Sequence, residues 1–473
     1  MNASTAPRGL KRELGRLLGS EHVLEAPLGS PYNYDAARRR GVEGRADAVV
    51  LPGSAEEVAA VVSWCYAHDV PIVPRGGGTG LAGGAVATHG GVVCSLERLR
   101  KVRELEPQLW RILPEAGVST HHVQRLAREN GLFFAPDPGA AEQSQIGGNV
   151  ATNAGGPHAL KYGVTGAWVA GLEVVLAPGE LVQLGGWAGK DVAGYDLKSL
   201  LIGSEGTLGV ITAVRLRLLP APETAIPLVV FMGTRAEGCA MMTDIFAAGL
   251  RPSVLDFVDG ETLKMVAGAY PGAGGMPAQA GFALIVEVDG RRAEAQAQRE
   301  ELLALVAGAA IAVHEPAEAA ALWRWRDGIN PAVTAVRGAK VSEDVVFPLE
   351  RLAEGLERFE EIANRHGLRS CAWGHGGEGN VHATVLVDGD SEAELDAAEA
   401  VGQELFALVV SLGGSVAGEH GVGWMKRGRL EAQWDRRAVE LHEEVKRAFD
   451  PKGLLNPGTK LARYPARSPV TSS

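Results

Sequence analysis

The sequence predicts a mixed helix–strand protein of the α+β class, folded as more than one domain. Three observations carry that reading. The chain has 473 residues, whereas single hydrophobic cores stop growing near roughly 250–300 residues. Strand-like apolar runs alternate with segments of helical period along most of that length. Near the middle, Leu219-Pro220-Ala221-Pro222-Glu223-Thr224 interrupts the alternation, and proline blocks both a helix and a central strand.

Residues 1–41 form a lead-in, with an amphipathic helix around residues 10–18 and then an irregular stretch containing Pro and Arg. From Asp47 the pattern reads strand 48–51, helix 54–68, strand 72–74, glycine loop 76–84 and strand 91–95. Ser54 with Glu57 three residues on is a capping-box signature for that helix. Strand 110–114, helix 119–130, two glycine-rich segments and strand 209–219 complete a domain over 42–220. Beyond the proline break come strand 227–232, helix 236–249, strand 283–289 and helix 292–307. Leu349, Leu352, Leu356, Phe359 and Ala363 then recur at helical spacing, after Pro348 as a first-turn residue and before Gly367 as a C-terminal cap. That stripe is core and receives no function. The second domain is expected over 221–425, a C-terminal helical segment over 426–462 with a helix near 438–449, and a disordered tail over 463–473, rich in Pro, Ser and Thr.

Apolar residues make up 46% and charged residues 22%, the balance of an ordered globular protein. The net charge of −11 argues against nucleic acid, whose phosphates require basic patches. No run of 18 apolar residues offers a transmembrane segment, and no apolar stretch after Arg8, Lys11 and Arg12 suggests a secretory signal. Cys65, Cys94, Cys239 and Cys371 lack Cys-x-x-Cys spacing, which removes an iron–sulfur cluster or zinc ribbon held by this chain alone. Buried free thiols in a cytoplasmic protein fit that usage.

The 62 glycines, about twice ordinary usage, are concentrated in a few motifs. The first is Pro74-Arg75-Gly76-Gly77-Gly78-Thr79-Gly80-Leu81, directly after a predicted strand. Successive amides in such a loop form a concave nest for phosphate oxygens, although the spacing is neither the Rossmann nor the P-loop pattern. The second holds Pro136 and Asp137 and then Ile146-Gly147-Gly148-Asn149-Val150-Ala151-Thr152-Asn153. The third runs from Gly194 through Ser204-Glu205-Gly206-Thr207 to Ile211. Three such segments within one domain point to a single long cofactor lying along it.

A different cluster closes the chain's chemistry. Trp373-Gly374-His375-Gly376-Gly377-Glu378-Gly379-Asn380-Val381-His382 is followed by Gly418-Glu419-His420-Gly421. His375 and His382 flank a glycine loop between the apolar runs 370–373 and 381–387, a β-hairpin pattern that returns the second imidazole towards the first. Imidazole and carboxylate suit a borderline divalent metal such as zinc, with iron or manganese as alternatives. Glu419 can supply the oxygen ligand, leaving His420 as a base.

The order of these motifs, with the closing Leu454-Leu455-Asn456-Pro457-Gly458-Thr459-Lys460, resembles the vanillyl-alcohol-oxidase flavoprotein superfamily. Within it the chain resembles the FAD-linked D-2-hydroxyacid dehydrogenases: the FAD subunit of glycolate oxidase, D-lactate dehydrogenase and D-2-hydroxyglutarate dehydrogenase. The resemblance implies an FAD-binding domain of two subdomains, a cap domain carrying the substrate and metal site, and a C-terminal segment returning to the flavin domain. It implies oxidation of a D-2-hydroxy acid to the 2-oxo acid, with hydride passed to flavin N5. Carried over by motif, Pro74, Arg75, Gly76, Gly77, Gly78, Thr79, Gly80 and Leu81 would hold the pyrophosphate. Pro136, Asp137, Ile146, Gly147, Gly148, Asn149, Ala151, Thr152 and Asn153 would line the rest of the FAD path, completed by Glu205, Gly206, Ile211 and Asn456. Thr79 stands where members with covalent flavin carry histidine, so the FAD is expected to be non-covalent.

By the same resemblance His375, His382 and Glu419 would ligate the metal, His420 would be the catalytic base, and Arg326 and Lys340 would grip the substrate carboxylate. Glu378 departs from the family's usual aspartate and is assigned a supporting place. Asn330 and Thr384 fall at positions that vary with substrate. Expected partners are a small 2-hydroxy acid and an electron acceptor (a quinone, an electron-transfer flavoprotein or an iron–sulfur subunit), the acceptor giving a peripheral membrane association. A homodimer is left open. Two rival readings are a non-redox flavoenzyme resembling alkyl-dihydroxyacetonephosphate synthase and a non-catalytic FAD-binding accessory subunit.

Overall fold

The computed structural model describes residue 7 and residues 9–461, so the tail expected over 463–473 lies wholly outside the described residues, along with residue 462. The chain divides into two compact units. The first comprises Met1–Ala154, Val164–Ala221 and Glu419–Ser473; the second comprises Gly155–Gly163 and Pro222–Gly418. One division falls at Ala221/Pro222 and another at Gly418/Glu419, and a nine-residue stretch inside the glycine-rich region belongs with the second unit.

In the first unit, the four-stranded sheet has the order Val23–Leu24, Ala48–Val50, Val92–Ser95, Ile72–Arg75. The last three strands are parallel, as a helical crossover between strands requires. That crossover is the Ala55–Ala67 helix, whose first turn is closed by Ser54 accepting from the Glu57 N–H. The Glu57 carboxylate accepts from Gly53 N–H at 2.6 Å, one residue short of the full reciprocal box. A second, antiparallel sheet runs Val102–Glu106, Arg111–Pro114, Val210–Arg217, Val169–Leu176, Glu180–Gly185. Two sheets in one unit agree with the two subdomains that the family resemblance implies. The lead-in is integral to this unit, because Leu10, Leu14 and Leu18 share a core with Val58, Val62 and Leu455.

The C-terminal segment is pinned to the same unit by buried polar contacts. Leu455 bridges Ile72 in parallel, extending the four-stranded sheet. On the Arg436–Phe449 helix, Lys446 Nζ donates to the carbonyls of Thr207 and Leu455 and pairs with Asp450. Asp450 also accepts from Leu455 N–H at 2.9 Å and from the Tyr66 hydroxyl. All four cysteines are buried free thiols; burial pushes the Cys94 thiol up to about 12.

The second unit is a seven-stranded antiparallel sheet. Its order is Ala312–His314, Thr224–Met232, Phe282–Gly290, Val254–Asp259, Arg369–Gly374, Asn380–Val387, Ala339–Val346. The strand at 254–259 lacked a period-2 signal because all six of its residues are buried. One face is covered through Leu263 and Val266, Leu322 and Trp325, and Ile329 and Val333, on three short helices. The Arg235–Ala247, Arg292–Val306, Leu352–Arg365 and Glu392–Ser411 helices also pack on this sheet. On Leu352–Arg365 the expected stripe is buried at Leu352, Leu356, Phe359 and Ala363. Gly367 ends that helix at φ 71°, with open space where a Cβ would stand. Gly367→Ala should therefore cost backbone strain alone, about 1 kcal/mol, read as a lower midpoint in chemical denaturation with an unchanged m-value. Among the described residues no helix is long and apolar enough to cross a membrane.

Candidate active site

The three glycine segments converge within the first unit. Pro74 and Arg75 end the Ile72–Arg75 strand, and the loop that follows packs so tightly that a Cβ on Gly77 would sit 2.1 Å from the Gln143 carbonyl oxygen. Ile146–Thr152, read from sequence only as a glycine-rich segment, is an α-helix ended by Asn153 at φ 53°. Glu205 N–H donates to Ala151 O at 2.7 Å, joining the second and third segments. Asn456 Nδ2 donates to both Gly84 O and Glu205 O at 2.7 Å, joining the first and third. Gly206 lies against Pro74, Pro136 O accepts from Gln124 Nε2, and Ile211 is buried in the Val210–Arg217 strand.

This region carries polar capacity that the protein leaves unused. The buried Gln145 Oε1, Ser204 Oγ and Asn456 Oδ1 have no hydrogen-bond partner, and a Cβ on Gly148 would meet nothing within 4 Å. Buried polar atoms of this kind require an explanation, and a flat polar cofactor along the segments fits them. The Glu205 side chain is committed elsewhere: its carboxylate accepts from Val422 N–H at 3.0 Å and Gly423 N–H at 2.6 Å.

In the second unit the predicted hairpin is formed by Arg369–Gly374 and Asn380–Val387. It brings the His375 and His382 rings to a centroid distance of 5.6 Å at 86°. Directly opposed residues in an antiparallel pair point to the same face. Trp373 opposes His382, Asp344 opposes His382 from the other side, and Ser342 opposes Thr384. Lys340, two residues before Ser342, follows the same parity, and its Nζ lies 4.5 Å from the Trp373 ring centroid. Thr384 is fully buried on Ser342 at 2.8 Å, whereas Asn330 and Glu378 are exposed.

Two acids missed in the sequence organise these groups. Asp256 accepts from His375 Nδ1 and from Arg326 Nε, each at 2.8 Å. Burial pushes the Asp256 carboxyl up, but the charges of His375 and Arg326 outweigh it and hold the group down at about 2. In its neutral form, a histidine that donates its Nδ1–H to a carboxylate carries its lone pair on Nε2, the arrangement used by metal-ligating imidazoles. Asp344 accepts from Asn380 Nδ2 at 2.7 Å and from the N–H of Gly418 at 2.9 Å. Gly418 is the second unit's last residue, and Glu419 and His420 follow it directly. Within the second unit Asp344 Oδ1 lies 3.9 Å from His382 Nδ1. His375 stands beside this pair, its ring 5.6 Å from that of His382, and is tied to Asp256. By register each acid lies on the strand face that carries His382.

Family models match both parts of the chain: an FAD binding domain over residues 46–185, and the C-terminal domain of FAD linked oxidases over 221–459. The chain belongs to the FAD-linked oxidase family. It is 35% identical to glycolate oxidase subunit GlcD of Bacillus subtilis, over 96% of this chain and 97% of that one. It is 36% identical to D-2-hydroxyglutarate dehydrogenase of Xanthomonas citri pv. viticola, over 87% and 88% of the two chains. Among solved structures, p-cresol methylhydroxylase matches with a TM-score of 0.79 at 18% identity, covering 95% of this chain and 96% of that one. Alkyldihydroxyacetonephosphate synthase matches at 0.75 and 19%, covering 97% and 87%; at these identities the likeness concerns the fold. As a member of this FAD-linked oxidase family the protein is an oxidoreductase.

Proposed function

We propose that this FAD-linked oxidoreductase oxidises a D-2-hydroxy acid of the glycolate, D-lactate or D-2-hydroxyglutarate type to its 2-oxo acid. The observation that carries the reading is the second unit's pairing of His375 and Arg326 with the buried Asp256 and of His382 with Asp344, which Glu419 and His420 follow in the chain directly after Gly418. The GlcD and D-2-hydroxyglutarate dehydrogenase names of relatives point the same way. His375, His382 and Glu419 would hold a divalent metal, zinc by preference, and the buried Asp344 is a further carboxylate at that place. The non-covalent FAD would rest on Pro74–Leu81, Ile146–Asn153, Gly206 and Asn456. When bound, the flavin accepts a hydride and the metal lowers the pKa of the substrate hydroxyl. His420 takes the hydroxyl proton, Arg326 and Lys340 bind the carboxylate, and Asp256 keeps His375 and Arg326 in place.

The test is anaerobic addition of glycolate, D-lactate and D-2-hydroxyglutarate to the purified yellow protein. One of these acids should bleach the flavin, and acid precipitation should release all of the FAD because Thr79 offers no histidine for a covalent link. Metal-replete protein that keeps its oxidised spectrum with every acid, or that reduces fully without metal, would overturn the reading. Electrons are expected to leave to a quinone, an electron-transfer flavoprotein or an iron–sulfur subunit; the name of the GlcD relative, a subunit, fits a separate partner.

A further inference from the structure

We propose that Glu205 is a positioning residue for the Glu419–His420 pair, a step that rests on the proposed function of those two residues. Glu205 sits at φ 54° between Gly203 and Gly206, both also at positive φ. A non-glycine residue held there costs roughly 1–3 kcal/mol and persists only where its surroundings enforce it. Its N–H is bound to Ala151 and its carbonyl to Asn456, and its side chain is about nine-tenths buried, at 7% residue exposure.

That fixed backbone aims the carboxylate beneath the chain immediately after His420. Oε1 and Oε2 each accept one N–H, from Val422 and from Gly423, a two-point grip on consecutive amides. Gly421 passes directly over the carboxylate, where a Cβ would stand 3.3 Å from it. Lys460 Nζ, 3.4 Å from Oε1, supplies the neutralising charge. From the other side Ala82 O accepts from both Trp424 and Met425 N–H. Residues 421–425 are thus clamped between Glu205 and Ala82, and the anchor begins two residues beyond the histidine. Charge-assisted bonds to backbone N–H are about twice as strong as neutral ones, so an anion is the right group for this task. A merely flavin-lining side chain has no need of both its oxygens here.

Glu205→Gln keeps the shape and loses the charge and one acceptor. In the FAD-loaded enzyme, deuterium exchange at Val422 and Gly423 should accelerate, FAD content should stay at the wild-type level, and bound metal should fall. Since misplacement by about 1 Å can cost on the order of 10²-fold, kcat should drop by roughly that factor, with KM little changed and the base-dependent limb of the pH profile displaced. If the variant fails to fold, Lys460→Met should move exchange, metal and kcat in the same direction by less. Loss of FAD with loop exchange unchanged would make Glu205 a flavin residue and overturn the proposal. Faster loop exchange with metal, kcat and pH profile all unchanged would instead remove Glu419 and His420 from the reaction, which is the failure of the functional reading itself.

Discussion

His420→Ala should slow reduction of the bound FAD by about 10²–10⁴-fold, the usual loss on removing a positioned general base. The protein should remain yellow and keep its metal. The expectation follows from placement: His420 Nε2 lies 3.9 Å from Glu419 Oε1, and the ring is 27% exposed, reachable by a small substrate. Removing it takes away the proposed proton acceptor and leaves the Glu419 carboxylate in place. Anaerobic stopped-flow reduction, flavin absorbance and elemental analysis on one preparation decide the matter. Loss of metal would move His420 from base to ligand. Reduction at the wild-type rate would send the search for the base elsewhere.

Arg326→Ala should raise KM and lower kcat/KM together, since a carboxylate grip lost from ground and transition states alike appears as uniform binding. The loss should be about 2–4 kcal/mol for a desolvated ion pair. Sequence alone leaves Arg326 open to a surface reading on a helix with Arg324 two residues away. The structure removes it: the side chain is 13% exposed and paired with Asp256, itself 2% exposed. The alanine variant should therefore also be less stable, because it strips one partner from a buried carboxylate. Arg326→Lys should recover little, as an ammonium cannot reproduce a planar two-point grip. Adding Asp256→Asn to Arg326→Ala should recover stability and leave KM high. Recovery of both would reduce Arg326 to a structural partner of Asp256.

How far the sequence carries depends on the range of the interaction concerned. The Leu10–Leu18 helix is legible to the residue because its apolar stripe is local and glycines flank it. The hairpin around His375 is legible because a glycine loop between two apolar runs encodes its own return. Ile146–Thr152 hides its helix, since two glycines and short polar residues suppress propensity and no stripe is visible; its tertiary packing overrides both. The metal-type donors are legible as residue types. Asp256 and Asp344 are not, because their value lies in which strand stands next to which, 119 residues from Asp256 to His375. Glu205 is found as part of a motif, but its side-chain pairing is not legible, since its amide partner Val422 lies 217 residues further on.

The closure of the first unit by its own C-terminal segment has a consequence for synthesis. During translation the ribosome releases Ile72 long before Leu455, so the first unit's sheet spends that interval with an uncovered edge, and Tyr66 waits for Asp450. The segment Pro222–Gly418, with all seven strands of its own sheet already made, emerges before the first unit has its last strand neighbour. Domains fold as units as they leave the ribosome, so the later-starting unit can finish first, and a ribosome that stalls after residue 418 releases a chain whose flavin-binding half is the unfinished one.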